Sequence, residues 1–265
     1  MARVRTTTLR KYKEQGERIA MLTAYDYPTA RLMDAAGIDV LLIGDSCANA
    51  VMGLGDTISI TMDAMMHHVS MVSRATERAL VVADMPFLSY QISVEEAVRN
   101  AGRFVAEAGA HAVKLEGPAD RFGDVIRAIL RAGIPVMGHI GLTPQSVHQI
   151  GGYKVQGRDE ESVRRLQEEA LGLESIGCFA LVLELVQADV AAAITEAVSI
   201  PTIGIGSGPG CDGQVLIMHD MLGFDEPPRF VKAFADIEGA MKQAFEAYRA
   251  EVKEGVFPGE EHCHR

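Results

Sequence analysis

Short, almost continuous apolar runs rich in β-branched residues recur along the 265-residue chain. Seven strong runs and a weaker eighth occupy Ile19–Asp26, Val40–Asp45, Ala79–Asp84, Ala112–Glu116, Pro135–Ile140, Phe179–Val186, Pro201–Ile205 and Gln214–Met218. Strands buried on both faces have this continuous pattern, whereas strands with one wet face alternate apolar and polar residues. The runs therefore predict a parallel sheet that helices cover.

Helical patterns separate the runs. Ser93 and Glu96 have the spacing of a capping box, and apolar stripes at helical spacing begin after Thr61 and after Asp159. The stripe after Asp159 leaves Glu169 on the side predicted to face solvent. Four glycines stand where a helical stretch meets a run: Gly37, Gly109, Gly133 and Gly177. Because glycine suits the left-handed position that ends a helix, each is predicted to mark a helix end.

The number of units indicates the fold class. Roughly eight strand–helix units in about 250 residues match a (β/α)8 TIM barrel, which is an α/β fold. A doubly wound open sheet is the alternative, but the number of units and the total length both favour the barrel. No linker or change of composition divides the chain, so we expect a single barrel domain over residues 1–265, with a short N-terminal helical segment and a C-terminal tail.

The charge balance argues against several classes of partner. Lys and Arg number 25 against 36 Asp and Glu, and the net charge of −11 repels nucleic acid backbones. The longest stretch without these four residue types, Ala132–Tyr153, contains five glycines and two prolines, so we expect no membrane span. Met1–Lys13 lacks the apolar stretch of a secretory signal, and the four cysteines form no C-x-x-C pair. We expect a cytoplasmic protein.

Charged residues stand where several predicted strands end. Asp45, Asp84 and Glu116 each close a run, and Lys114 shares a strand face with Glu116. The carboxyl ends of barrel strands converge on one mouth, and oxygen-rich clusters hold hard cations such as Mg²⁺. The spacing therefore favours a Mg²⁺ site. Alternatively, each aspartate could cap a helix, and Lys114 and Glu116 could form a buried ion pair.

Two further strand ends carry polar residues. Glu184 lies in an otherwise apolar run, where an unpaired buried carboxylate costs several kcal/mol, and His139 lies near the end of the fifth run. After the seventh run, the glycine-rich segment Gly204–Gly210 resembles a phosphate loop but breaks the G-x-G-x-x-G order. The alternative is a tight strand exit at which the backbone must come close to its neighbours.

At these strand ends the chain closely resembles the ketopantoate hydroxymethyltransferase family, over nearly its whole length. The segments that carry the resemblance are Thr23–Tyr27, Gly44–Ser46, Ala83–Phe87, Val113–Gly117, Gly138–Ser146, Gly151–Gly157, Leu183–Glu184, Ile203–Gly208, Asp212–Gln214 and Pro258–His262. The resemblance implies a Mg²⁺-dependent barrel of the phosphoenolpyruvate/pyruvate type. It also implies transfer of a hydroxymethyl group from 5,10-methylenetetrahydrofolate to 2-oxoisovalerate (3-methyl-2-oxobutanoate), which gives ketopantoate in pantothenate biosynthesis.

The resemblance also implies roles for individual residues. Metal binding would fall to Asp45, Asp84 and Glu116, contacts with the oxoacid to Asp45, Ser46, Asp84 and Lys114, and removal of the C3 proton to Glu184. Tyr25 and His139 would line the same pocket without an assigned role. The family forms decamers in bacteria, so a homo-oligomer is expected.

This chemistry suits the residues, because a metal ion chelated by a 2-oxoacid stabilises the enolate that forms when a proton leaves C3. A Mg²⁺-dependent carbon–carbon lyase of the same barrel type is the alternative function, and it would need no folate. A third interpretation is a barrel that only binds a ligand or assembles, which would tolerate Glu184→Gln without consequence.

Overall fold

Eight parallel strands close into a barrel in chain order, with β8 paired to β1. The computed structural model describes residues 2–264 except 153, 225 and 227. The strands are β1 (Ile19–Thr23), β2 (Val40–Ile43), β3 (Leu80–Asp84), β4 (Ala112–Glu116), β5 (Val136–Gly141), β6 (Ala180–Glu184), β7 (Thr202–Ile205) and β8 (Gly213–Leu216). The barrel predicted from the apolar runs is confirmed.

Helices connect the strands and flank the barrel sequence at both ends. They are α1 (Thr6–Gln15), α2 (Tyr27–Ala35), α3 (Cys47–Ala50), α4 (Met62–Ala75), α5 (Val94–Ala106), α6 (Ala119–Arg131), α7 (Val147–Ile150), α8 (Glu160–Ile176), α9 (Ala188–Ala197), α10 (Met218–Leu222) and α11 (Ile237–Glu254). Short 3₁₀ turns span Pro144–Ser146 and Glu260–His262.

Two differences between predicted and observed strand boundaries have a clear cause. β1 ends at Thr23, because Asp26 serves α2 as its N-cap and accepts a hydrogen bond from the Thr29 backbone N–H at 2.9 Å. β8 begins one residue earlier than predicted, at Gly213, where a Cβ atom would lie 2.5 Å from the Ile19 carbonyl oxygen. Glycine thus lets β8 approach β1. The prediction leaves Gly213 out of the strand because it is based on apolar side chains, and glycine has none.

The predicted helix boundaries are confirmed. Helices α4, α5 and α8 begin after Thr61, Ser93 and Asp159, whose side chains accept a backbone N–H of the first turn. All four junction glycines are left-handed, with φ between 83° and 110°. Glu169 reaches solvent only in part, since its side chain is 19% exposed and burial raises its pKa.

Apolar side chains fill the barrel before the carboxyl ends of the strands. They come from all eight strands and include Ile19, Met21, Val40, Leu42, Leu80, Val82, Ala112, Met137, Ala180, Val182, Ile203 and Val215. Because neighbouring positions of a strand face opposite sides, Lys114 and Glu116 share the inward face with Ala112, and Glu184 shares it with Val182. The three charged side chains therefore point into the barrel.

Contacts divide the chain into two compact units, residues 1–216 with the barrel and residues 217–265 with α10 and α11. Within the second unit, Asp236 caps α11 by accepting the Gly239 backbone N–H at 2.8 Å, and α11 exposes Phe245 and Tyr248. The single domain over residues 1–265 stays a prediction, as do the decameric assembly and the cytoplasmic location. None of the described helices is long and apolar enough to cross a membrane.

Candidate active site

Charged residues at the ends of β2, β3 and β4 meet in one buried group, here called the acid cluster: Asp45, Asp84, Lys114 and Glu116. Each is between 2% and 5% exposed. The Asp45 backbone N–H donates to Asp84 Oδ2 at 3.2 Å, and the Lys114 ammonium contacts Asp84 Oδ1 at 2.7 Å. Strand register sets the second contact, since Asp84 lies opposite Lys114 in the β3–β4 ladder. The structure thus brings together the four residues expected at one mouth.

His139 on β5 connects the acid cluster to Glu184 at the end of β6. Its Nδ1 lies 3.1 Å from Lys114 Nζ and 3.5 Å from Glu116 Oε1, and its Nε2 lies 3.3 Å from Glu184 Oε2. Burial and Lys114 oppose charge on the imidazole, but Glu116 and Glu184 outweigh them and raise the pKa of His139 to about 9. Glu184 differs from the acid cluster in exposing 19% of its side chain.

The acid cluster buries three carboxyl groups with a single ammonium group. Burial raises the pKa of Asp45 well above its ordinary value, and the neighbouring carboxylates of Asp84 and Glu116 raise it further. Burial also raises the pKa of Asp84, against the opposing effect of Lys114. The two aspartates therefore lack sufficient counter-charge, and a divalent cation would stabilise their ionised forms.

The available donors limit which metal fits the acid cluster. Asp45 and Asp84 offer carboxylate oxygens, but no group of three or more His, Cys, Asp or Glu side chains in the described part of the chain is arranged to hold a metal ion. Zinc sites normally have three or four such ligands. Mg²⁺ takes one or two carboxylates and keeps water or substrate in its remaining positions. The acid cluster therefore fits Mg²⁺ better than zinc.

Tyr25 and Ser46 are in contact at the carboxyl ends of β1 and β2. The Tyr25 hydroxyl lies 2.9 Å from Ser46 Oγ, and the Tyr25 carbonyl oxygen lies 2.6 Å from His68 Nδ1. Tyr25 is 1% exposed, and burial raises the pKa of its phenol, which stays protonated at neutral pH. Ser46 directly follows Asp45 as the N-cap residue of α3, so the chain places its hydroxyl beside the acid cluster.

Gln145 and Tyr90 lie in the site without having been assigned a role from the sequence. Gln145, in the 3₁₀ turn after β5, donates from its side chain to Asp45 Oδ2 at 2.9 Å and from its backbone to Glu116 Oε2 at 3.0 Å. The Tyr90 hydroxyl donates to Gln145 Oε1 at 3.0 Å. The apolar pattern of strands and helices gives no information about a glutamine in a loop. The only sign of Gln145 in the sequence is that it belongs to Gly138–Ser146, one of the segments that carry the family resemblance.

The glycine-rich segment Gly204–Gly210 is a tight strand exit. A Cβ atom at Gly208 would lie 2.5 Å from Ala188 Cβ, and one at Gly210 would lie 2.7 Å from Ala192 Cβ. Glycine at these positions lets the segment come close to α9. The close contacts explain the glycines without a phosphate ligand, in agreement with the alternative interpretation of the motif.

Ser207, in the same segment, holds the chain at the end of β6. Its hydroxyl donates to the Leu183 carbonyl oxygen at 2.7 Å and accepts the Val186 backbone N–H at 3.0 Å. Between these two positions, Leu185 has a φ of 48°, a left-handed conformation that is uncommon for a residue with a side chain. Ser207 therefore stabilises the backbone on both sides of Glu184.

Gly141→Ala is expected to destabilise the protein by about 1–3 kcal/mol more than Gly133→Ala. Gly141 has a φ of 96°, and a Cβ atom there would lie 2.3 Å from the Glu184 carbonyl oxygen. Gly133 has a φ of 84°, but its Cβ position has no heavy atom within 4 Å. Urea unfolding of both variants measures the difference, and equal destabilisation would show that the contact with Glu184 costs nothing.

Comparison with known proteins identifies close relatives. A family model described as Ketopantoate hydroxymethyltransferase matches residues 3–260. The 3-methyl-2-oxobutanoate hydroxymethyltransferase of Syntrophomonas wolfei is 56% identical over 265 residues, covering 99% of this chain and 96% of that protein. The protein of the same name from Desulforapulum autotrophicum is 56% identical over 265 residues and is covered to 99%, as is this chain.

Solved structures with similar architecture are more distant in sequence. A phosphoenolpyruvate phosphomutase from Streptomyces platensis gives a TM-score of 0.64 at 16% identity, covering 98% of this chain and 92% of that one. A phosphonopyruvate hydrolase solved with oxalate and Mg²⁺ gives 0.61 at 14% identity, covering 98% and 91%. A 2,3-dimethylmalate lyase of the PEP mutase/isocitrate lyase superfamily gives 0.59 at 20% identity, covering 100% and 93%. At these identities the likeness concerns the fold alone, which is a (β/α)8 barrel.

Proposed function

Because the chain belongs to the ketopantoate hydroxymethyltransferase family, we propose that it transfers a hydroxymethyl group from 5,10-methylenetetrahydrofolate to 2-oxoisovalerate. The product would be ketopantoate (2-dehydropantoate), on the pathway to pantothenate and coenzyme A. The observation that carries the proposal is a divided acidic site, with the buried acid cluster on one side of His139 and the partly exposed Glu184 on the other. Enolate chemistry requires one group to bind the oxoacid and a separate group to remove its proton.

Asp45 and Asp84 would bind a Mg²⁺ ion directly, and Glu116, the third metal residue that the resemblance implies, would contact it through bound water. The raised pKa values of the two aspartates support this assignment, because burial disfavours their ionised forms and a bound cation would offset that cost. When bound, the ion supplies Lewis-acid polarisation of the keto group and stabilises the negative charge of the enolate.

Lys114 and Ser46 would bind the oxoacid. Lys114 Nζ lies 2.7 Å from Asp84, and despite burial the carboxylates of Asp84 and Glu116 raise the pKa of Lys114, so the side chain is a fixed cation. The Ser46 hydroxyl, which lies 2.9 Å from the Tyr25 hydroxyl, would donate to the substrate carboxylate. Donors and charges that are already in place stabilise a forming oxyanion without rearrangement.

Glu184 would accept the proton from C3 of the oxoacid. Its carboxylate lies 3.3 Å from His139 Nε2, and this contact would hold it in place to act as a base. The electron pair of the broken C–H bond passes into the enolate, and C3 then forms a bond to the one-carbon unit of the folate. Water supplies the hydroxyl of the new hydroxymethyl group as tetrahydrofolate leaves.

Deuterium exchange at C3 of 2-oxoisovalerate tests the proposal. With Mg²⁺ in D₂O and without folate, we expect the protein to exchange this hydrogen, as followed by NMR. Addition of 5,10-methylenetetrahydrofolate should then give ketopantoate, and chelation of Mg²⁺ should stop both reactions. An absence of exchange with Mg²⁺ present would contradict the enolate mechanism, whereas carbon–carbon cleavage without folate would favour the lyase.

A further inference from the structure

Gln145 bridges two carboxylates at the ends of different strands. Its side-chain Nε2 donates to Asp45 Oδ2 at 2.9 Å and to the Met85 carbonyl oxygen at 3.0 Å, and its backbone N–H donates to Glu116 Oε2 at 3.0 Å. Gln145 is 5% exposed, so water has little access to these contacts. This single residue therefore occupies one oxygen of each of two carboxylates in the acid cluster.

The partners of the Gln145 amide fix its orientation. The Met85 carbonyl oxygen can only accept, so the amide nitrogen must face it and Asp45. On the other side, Gln145 Oε1 accepts from the Tyr90 hydroxyl at 3.0 Å and from Gln91 Nε2 at 3.2 Å. Rotation of the amide would break these side-chain hydrogen bonds together, which keeps the donor directed at Asp45.

We propose that Gln145 is a positioning residue for the Mg²⁺ site, an inference that rests on the proposed function. By occupying Asp45 Oδ2 and Glu116 Oε2, Gln145 leaves the other oxygen of each carboxylate for the ion and its bound water. Glu116 Oε1 accepts no hydrogen bond from the described residues and lies 3.5 Å from His139 Nδ1. Hydrogen bonds from amides commonly orient the carboxylates that bind metals, and their loss weakens metal affinity.

Binding of Mn²⁺ to the metal-free protein measures this role without turnover. Gln145→Met keeps the length of the side chain and removes its amide, and the dissociation constant should rise about 10–100-fold. Electron paramagnetic resonance of free Mn²⁺ gives this constant, and circular dichroism shows whether the variant is folded. Gln149→Met is the matched control, because Gln149 is exposed and contacts Arg121 outside the acid cluster at 3.4 Å. It should bind Mn²⁺ like the unchanged protein.

Tyr90→Phe decides the question if Gln145→Met does not fold. This change removes one oxygen atom, and with it the hydrogen bond to Gln145 Oε1 and the contacts of the hydroxyl with the Glu116 backbone at 3.1 and 3.3 Å. It should raise the Mn²⁺ dissociation constant about 5-fold. Unchanged affinity in whichever of the two variants is folded would overturn the positioning role. Failure of the proposed function alone looks different, because the unchanged protein would then bind Mn²⁺ without exchanging the C3 hydrogen. An unchanged protein that binds no Mn²⁺ would overturn both.

Discussion

Glu184→Gln should lower hydroxymethyl transfer about 10²–10⁴-fold, the usual contribution of a general base. The glutamine amide has nearly the shape of the carboxylate but cannot take the proton from C3, so the enolate does not form. Binding of Mg²⁺ and of 2-oxoisovalerate should be retained, because both belong to the acid cluster on the other side of His139. NMR measures the exchange at C3, and calorimetry measures the two dissociation constants.

Glu169→Gln is the matched control for this experiment. Glu169 and Glu184 each expose 19% of the side chain, but Glu169 lies on α8 and pairs with Arg165 at 3.6 Å. The control should exchange the C3 hydrogen at the unchanged rate. Retained exchange in Glu184→Gln would remove this residue as the base, and equal losses in both variants would indicate general damage to the fold.

Lys114→Met should reduce the free energy of unfolding of the metal-free protein by about 3–5 kcal/mol. Lys114 Nζ lies 2.7 Å from Asp84, with the two side chains 4% and 3% exposed, so methionine leaves the acid cluster without its buried ammonium. Mg²⁺ should recover part of the loss, because a cation that binds only the folded protein stabilises it, and Lys114 no longer repels it. Chemical denaturation with and without Mg²⁺ measures both effects.

Lys13→Met is the control that shows whether the effects of Lys114→Met are specific to the acid cluster or common to partly buried lysine ion pairs. Lys13 Nζ contacts Asp212 Oδ2 at 2.8 Å, with both side chains 15% exposed, and it lies on α1. The change should cost less stability than Lys114→Met, and Mg²⁺ should stabilise Lys13→Met only as much as it stabilises the unchanged protein. A metal-free Lys114→Met protein as stable as the unchanged one would contradict the prediction, as would an equal response of both variants to Mg²⁺.

The fold could be predicted because its signal is repeated along the chain. Each strand of a parallel barrel is buried on both faces, so eight apolar runs and four glycine junctions report the same architecture independently. Boundaries are harder to predict, because tertiary contacts decide them. Asp26 follows an apolar run but caps α2, and Gly213 opens β8 because its backbone must approach Ile19.

The position of the charged residues of the site could be predicted from strand geometry. The contacts that join them to His139 and Gln145 could not. Side chains alternate along a strand, and the carboxyl ends converge, so the positions of the acids followed from the sequence. The contact of His139 with Glu116 depends on the register of β4 and β5, where the two residues lie opposite each other. The contacts of Gln145 depend on the path of a 3₁₀ turn, which an apolar pattern does not describe.

Below the acid cluster, the interior of the barrel is filled by a layer of apolar side chains. Side chains of this kind cannot reorient to screen the carboxylates above them, as water would. This apolar layer supplies no counter-charge, so an ion that neutralises the acid cluster has to approach from the carboxyl ends of the strands. The proposed function therefore requires both the exclusion of solvent during enolate formation and the release of ketopantoate at this same end of the barrel.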